Sequence, residues 1–179
     1  GVLGVLMGML VYGCGGGSSS APDPQTDLAA IKVDLGRKIF NDTNLSTPPG
    51  QSCASCHDIN TGFADPAVTI SNPVSVGADG ISFGNRNAPT AGYASFIPTF
   101  HRDATLGYVG GQFVDGRAAT LVEQAKGPFL NLKEMANTSK GEVIQKIINA
   151  NYANQFEQVY GTGSLGNVDA AYDNMADAV

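Results

Sequence analysis

The chain has no tryptophan, two histidines and three cysteines among 179 residues. Three cysteines are too few for a disulfide-dense scaffold. Charge is also sparse, at 15% of residues against roughly 25% in average soluble chains. Bases are the scarcer sign: 10 Lys+Arg face 16 Asp+Glu, for a net charge of −6 and a pI near 4.6. Nucleic-acid binding needs a basic face, so that class is excluded. What the chain does have is apolar content, 42% of residues, enough to exclude disorder of the whole. Its length suits one domain with a buried core.

The two ends carry their own signals. Residues 1–13 hold no charge and stop at Gly13-Cys14. That run is too short to span a membrane, which takes about 20 apolar residues. It fits the h-region of a signal peptide that lacks its basic n-region. Val11-Tyr12-Gly13-Cys14 resembles a lipobox, which makes Cys14 the expected lipid-attachment site. Residues 14–26, rich in Gly, Ser and Pro, read as a flexible lipoprotein-type linker. At the other end Val168, Ala171, Tyr172, Met175 and Val179 recur at helical spacing without a stop signal, so the helix is expected to run on.

Between the ends, helical stripes dominate. Leu28, Ile31, Leu35 and Ile39 share one face, with Thr26 or Asp27 as N-cap. Thr120 and Glu123 form a capping box, and Gly127-Pro128 are expected to end that helix. Ser139 and Glu142 form a second box before the stripe Val143, Ile144, Ile147 and Ile148. Tyr152, Phe156, Val159 and Tyr160 mark a further helix closed by Gly161. Residues 58–112 are rich in Gly, Pro, Asn and Ser, and no stretch alternates as a strand would. So long a run without elements is unusual; a large cofactor serving as core accounts for it. The fold class is mainly α with long ordered loops.

The chemistry sits at Cys53-Ala-Ser-Cys56-His57, the C-x-x-C-H signature of c-type haem attachment. Two thiols on one helical turn reach the two vinyl groups of one porphyrin edge, and the adjacent imidazole becomes the proximal iron ligand. Thioether attachment calls for an exported protein. A thioredoxin-like C-x-x-C follows a strand, whereas a polar loop precedes this one. A structural zinc site needs four ligands, and neighbouring Cys56 and His57 are poorly placed to share one metal. For the sixth iron position the candidates are His101, Met135 and Met175, or no ligand at all. Met7 and Met9 fall in the signal-like segment.

Five stretches, in order, extend the signal: Leu35-Gly-Arg-Lys-Ile-Phe40; Cys53 to Asp58 with Gly62-Phe63; Gly84-Asn-Arg-Asn-Ala-Pro-Thr90; Phe113-Val-Asp-Gly-Arg-Ala118; and Glu123-Gln-Ala-Lys-Gly-Pro128 with Asn131 and Glu134-Met135. Together they resemble the bacterial di-haem cytochrome c peroxidase family, which includes the methylamine-utilisation haem enzyme MauG. The resemblance implies that residues 27–179 are an N-terminal, c-type cytochrome-like haem domain that reacts with hydrogen peroxide. A second haem domain would follow and take electrons from a small cytochrome c or cupredoxin.

The same resemblance assigns roles. Cys53, Cys56 and His57 hold haem c. Glu134 is the acid/base on the peroxide, Gln124 a hydrogen-bond donor to it, and Pro128 a wall of the distal pocket. Asn87 matches a calcium ligand whose partners lie in the second domain. Three departures stand out. The loop Val76 to Ser82 has no histidine, Val114 replaces a tryptophan expected between the haems, and no second C-x-x-C-H occurs. The implied function is periplasmic peroxide reduction, with membrane contact only through the lipid anchor. Two alternatives remain: a MauG-like oxidase of a protein or organic partner, and a mono-haem electron carrier.

Overall fold

The computed structural model describes residues 24–179. The expectations for residues 1–13 and for Cys14 lie outside the described residues. Among the described residues six α-helices carry the fold: α1 (Pro24–Asn41), α2 (Cys53–Cys56), α3 (Leu121–Leu130), α4 (Lys140–Ile148), α5 (Ala153–Tyr160) and α6 (Val168–Ala178). α6 packs on α1, α3 and α4, and α5 and α2 pack on α1. The core lies between them, where Leu35, Ile39, Phe129, Ile147, Phe156 and Tyr172 are essentially inaccessible. At Gly36 the chain of α6 comes so close that a Cβ would stand 1.9 Å from the Ala178 carbonyl oxygen. Only glycine permits that approach between helices.

Several expectations need correction. α1 begins at Pro24, ahead of the expected cap at Thr26 or Asp27 and inside the stretch read as linker. Of its stripe, Leu35 and Ile39 are buried and Leu28 is exposed. Gly127 and Pro128 do not end α3, which continues to Leu130. Pro128 costs the helix one N–H donor. The last turn is nevertheless anchored, because Phe129 packs edge-on against Tyr172 with ring centroids 6.3 Å apart. Core packing overrides the local stop signal. The Thr120–Glu123 box forms in both directions. The second does not: Ser139 caps Glu142 N–H, but the Glu142 carboxylate turns to the Thr138 N–H (2.7 Å) and the Thr47 hydroxyl. Ile148, expected in the α4 stripe, is exposed.

A small sheet is present that the sequence pattern did not announce. β1 (His101–Asp103) pairs antiparallel with β2 (Gly107–Val109), in the register His101 opposite Val109. Three residues per strand are too few to display a period of two. The turn makes the hairpin: Asp103 Oδ1 accepts the N–H groups of Thr105 and Leu106, each at 2.7 Å, and Gly107 takes φ +82°.

The loop before α2 is pinned to the end of α3 and to α4 by one buried polar network. Asn137 is 1% exposed. Its Nδ2 donates to the carbonyls of Leu45 (2.7 Å) and Phe129 (2.8 Å), and its Oδ1 accepts from Lys146 Nζ at 2.6 Å. Lys146 also reaches the Ser46 carbonyl at 2.7 Å. Asn137→Ala strands these groups in the core, so unfolding of the haem-loaded chain should show a loss of about 3 kcal/mol. A loss under about 1 kcal/mol would show that the network contributes little.

Candidate functional site

α2 is a single turn, entered from Ser52, whose N–H donates to Ser55 Oγ at 2.9 Å. It places Cys53 and Cys56 on one side, both as free thiols. His57 follows directly, its N–H donating to the Cys53 carbonyl at 2.9 Å. The turn from Asp58 to Ala64 then folds back, with Gly62 and Phe63 in the left-handed region. That reversal brings the Phe63 carbonyl to 3.1 Å from His57 Nδ1. A carbonyl only accepts, so Nδ1 carries the proton and Nε2 is left as a lone-pair donor. A hydrogen-bonded back nitrogen is how proteins orient a metal-ligating histidine.

The thiols are chemically quiet. Burial pushes Cys53 up to about 12, with the nearby charges of Cys56 and Glu134 adding to it. Burial also raises Cys56. A dithiol redox site or a thiolate zinc site needs the opposite, a lowered thiol pKa. Paired neutral thiols on one turn, followed by an oriented imidazole, fit covalent haem c. The surroundings agree with a large group at this place. The buried Gln51 Oε1, whose amide lies beside Cys56, has no hydrogen-bond partner among the described residues. Ile59, next to the motif, and Phe83, bridged to Val76, stay exposed.

The second half of the site comes from α3 and the loop after it. Gln124 and Pro128 stand four positions apart and so share a helix face. The loop 131–137 doubles back on the end of α3. Asn131 N–H donates to the Gly127 carbonyl at 3.2 Å, and Met135 N–H to the Pro128 carbonyl at 3.1 Å. Glu134 is thereby delivered beside Pro128. Its carbonyl is fixed by Ala78 N–H at 2.8 Å, and its Oε1 accepts from Asn131 Nδ2 at 2.9 Å. Burial raises the Glu134 pKa, against the Asn131 hydrogen bond and the charge of Arg117. Both motif cysteines feel the Glu134 charge. Glu134 thus stands next to Pro128, and its charge reaches Cys53 and Cys56, more than 70 residues away in sequence.

The remaining candidates lie elsewhere. Met135 and Met175 are buried in the helical core. His101 is exposed on β1, its Nδ1 at 2.8 Å from the Thr99 carbonyl. Asn87 is exposed and donates to the Pro73 carbonyl at 2.7 Å. Among the described residues no three His, Cys, Asp or Glu cluster as a metal site. No described helix is long and apolar enough to cross a membrane.

Sequence reasoning missed the pairing of two of the motifs. Asp115 accepts from Arg86 Nη1 at 2.7 Å and from Arg117 Nη1 at 2.9 Å. Burial opposes its ionisation, but the bonds from Arg86 and Arg117 outweigh that and bring its pKa down to about 2. Nothing in the spacing of residues 86 and 115 signals the pair.

Helix-rich, with two buried thiols paired on one turn and an oriented histidine directly after them, the chain has the make-up of a c-type haem protein. It belongs to the di-haem cytochrome c peroxidase family, whose model matches residues 30–179. It is 42% identical over 165 residues to the methylamine utilization protein MauG of Paracoccus denitrificans, covering 91% of this chain and 42% of the relative. It is 38% identical over 151 residues to the cytochrome c peroxidase Ccp of Escherichia coli, covering 84% of this chain and 27% of that protein. The diheme peroxidase BthA of Burkholderia thailandensis superposes with a TM-score of 0.76 at 31% identity, over 88% of this chain and 38% of its own. The chain therefore spans less than half the length of these relatives. Membership implies covalently bound haem c.

Proposed function

We propose that this chain is the peroxide-reacting haem domain of an exported di-haem peroxidase. The observation that carries the reading is the delivery of Glu134 beside Pro128, where its charge also reaches the Cys53–Cys56 turn. Cys53 and Cys56 would hold the haem by thioethers, and His57 Nε2 would ligate its iron. When bound, the haem supplies the iron site and the electrons that break the O–O bond.

The protein's own residues supply the rest. Peroxide cleavage needs a proton removed from one oxygen and delivered to the other. Glu134 would make that transfer. A carboxyl whose pKa is raised by burial holds its proton longer and can return it as well as accept it. Gln124 has an amide N–H to donate to the bound peroxide, and Pro128 offers a wall without a competing donor. His101 stands exposed on the hairpin and both methionines are buried in the helical core, so none of the three would readily serve as a second iron ligand. That disfavours a six-coordinate electron carrier.

The wider assignments are part of the same proposal. Electrons would come through a second haem domain from a small cytochrome c or cupredoxin. The protein would work in the periplasm, anchored through Cys14, with Asn87 giving one oxygen to a calcium ion shared with the second domain. A second reading, oxidation of a protein or organic partner, draws on the 42% identity to MauG.

The test is a spectrum of the ferric chain, matured with its haem, with and without peroxide. A high-spin band that shifts rapidly on adding peroxide is expected. A low-spin, peroxide-inert haem would overturn the peroxidase reading, and absence of covalent haem would overturn both readings.

A further inference from the structure

Gln51 lies two residues before Cys53 and touches two separate parts of the molecule. Its Nε2 donates to the Val76 carbonyl at 2.7 Å and stands 3.9 Å from Cys56 Sγ. A carbonyl only accepts, so Val76 fixes which end of the amide faces it. The sulfur remains a weak acceptor once it is a thioether, so haem attachment leaves that contact available. The Gln51 N–H donates to Oγ of the buried Ser46 at 3.0 Å, which steadies the backbone behind the side chain.

The segment that Gln51 grips leads to Glu134. Two residues after Val76, the Ala78 N–H donates to the Glu134 carbonyl at 2.8 Å. Between them Gly77 passes so near loop 131–137 that a Cβ would stand 2.8 Å from the Lys133 carbonyl oxygen. The segment is itself braced. Gly77 N–H donates to the Ser82 carbonyl at 2.8 Å, and Gly84 N–H to the Ser75 carbonyl at 2.9 Å. The Asp79 carboxylate closes the turn between them by accepting the N–H groups of Ile81 and Ser82. A line of contacts thus runs from Cys56 through Gln51 and residues 76–78 to Glu134.

We propose that Gln51 is a positioning residue: by tying the attachment turn to residues 76–78, it fixes where Glu134 stands relative to the haem held at Cys56. The inference rests on the reading of Glu134 as the proton-moving group. A second tie between the loops, from Thr47 N–H to the Met135 carbonyl at 2.8 Å, holds the neighbour of Glu134. It is a backbone bond, so replacing the Gln51 side chain leaves it in place.

The test reads the infrared stretch of carbon monoxide bound to the reduced, haem-loaded chain, which responds to polar groups in the pocket around it. Glu134→Ala should move the band, since it strips the carboxyl. Gln51→Met keeps the length of the side chain and loses the donor. It should broaden the band and move it toward the Glu134→Ala position, because Glu134 no longer keeps one place. Gly77→Ala pushes residues 76–78 and loop 131–137 apart from the other end and should do the same. Neither substitution should move the band further once residue 134 is alanine, which separates action through Glu134 from a general loosening of the site. A band that either variant leaves in place, or moves as much in the Glu134→Ala background, overturns the proposal while the role of Glu134 stands. If Gln51→Met fails to fold, Gln51→Asn, an amide one methylene too short for Val76, decides by the same outcomes. A band that Glu134→Ala leaves in place, or a haem that takes up no carbon monoxide, overturns both the proposal and the reading of Glu134.

Discussion

Glu134→Gln is expected to leave the haem attached and to slow peroxide reduction by a factor of about 100 or more. The substitution keeps shape and one oxygen. Asn131 Nδ2, now at 2.9 Å from Oε1, finds an acceptor in the glutamine as well. The backbone contacts at 134, from Ala78 and to Asn131, do not involve the side chain. What disappears is the capacity to take a proton from one peroxide oxygen and hand it to the other. Stopped-flow mixing with peroxide reads the effect, and the haem absorbance reports attachment in the same sample. Unchanged turnover would remove Glu134 from the mechanism.

The double variant Cys53→Ser with Cys56→Ser should lose covalent haem entirely. Serine preserves the size of each side chain and the single turn of α2. It cannot form a thioether. With both sulfurs gone, any haem held by His57 alone comes away when the chain is denatured and extracted with acid. Haem that stays with the denatured double variant would show that attachment occurs elsewhere. The thiols' neutrality sharpens the expectation: burial keeps both protonated. The pair is therefore poorly suited to the thiolate chemistry that would give the same motif a redox or zinc role.

How much was legible in the sequence varied with the range of the interaction. α4, α5 and α6 announce themselves through stripes such as Val143, Ile144 and Ile147, because helix periodicity is a property of neighbours along the chain. The Thr120–Glu123 box is equally local, and it forms. Failures came where distant contacts decided. Pro128 reads as a stop, yet Phe129 against Tyr172 holds the helix through it. Glu142 reads as a capping residue, yet Thr47, almost a hundred positions away, takes part of its carboxylate. The hairpin at 101–109 was too short to show a pattern and depends on a turn built by the Asp103 side chain.

The site divides in the same way. The sequence by itself determined the attachment turn, since Cys53, Cys56 and His57 are adjacent and a single helical turn presents them together. It also marked Gln124, Pro128 and Glu134 through resemblance. Only the tertiary structure decided that Glu134 joins Pro128, because loop 131–137 folds back on α3 through Asn131 and Met135. It alone decided that the Phe63 carbonyl sets the His57 tautomer. It also joined Arg86, Asp115 and Arg117, three charges in two separate motifs, into one ion-paired cluster. Chain neighbours can be read from spacing; partners brought together by packing cannot, because their energy belongs to the folded arrangement and to no segment of it.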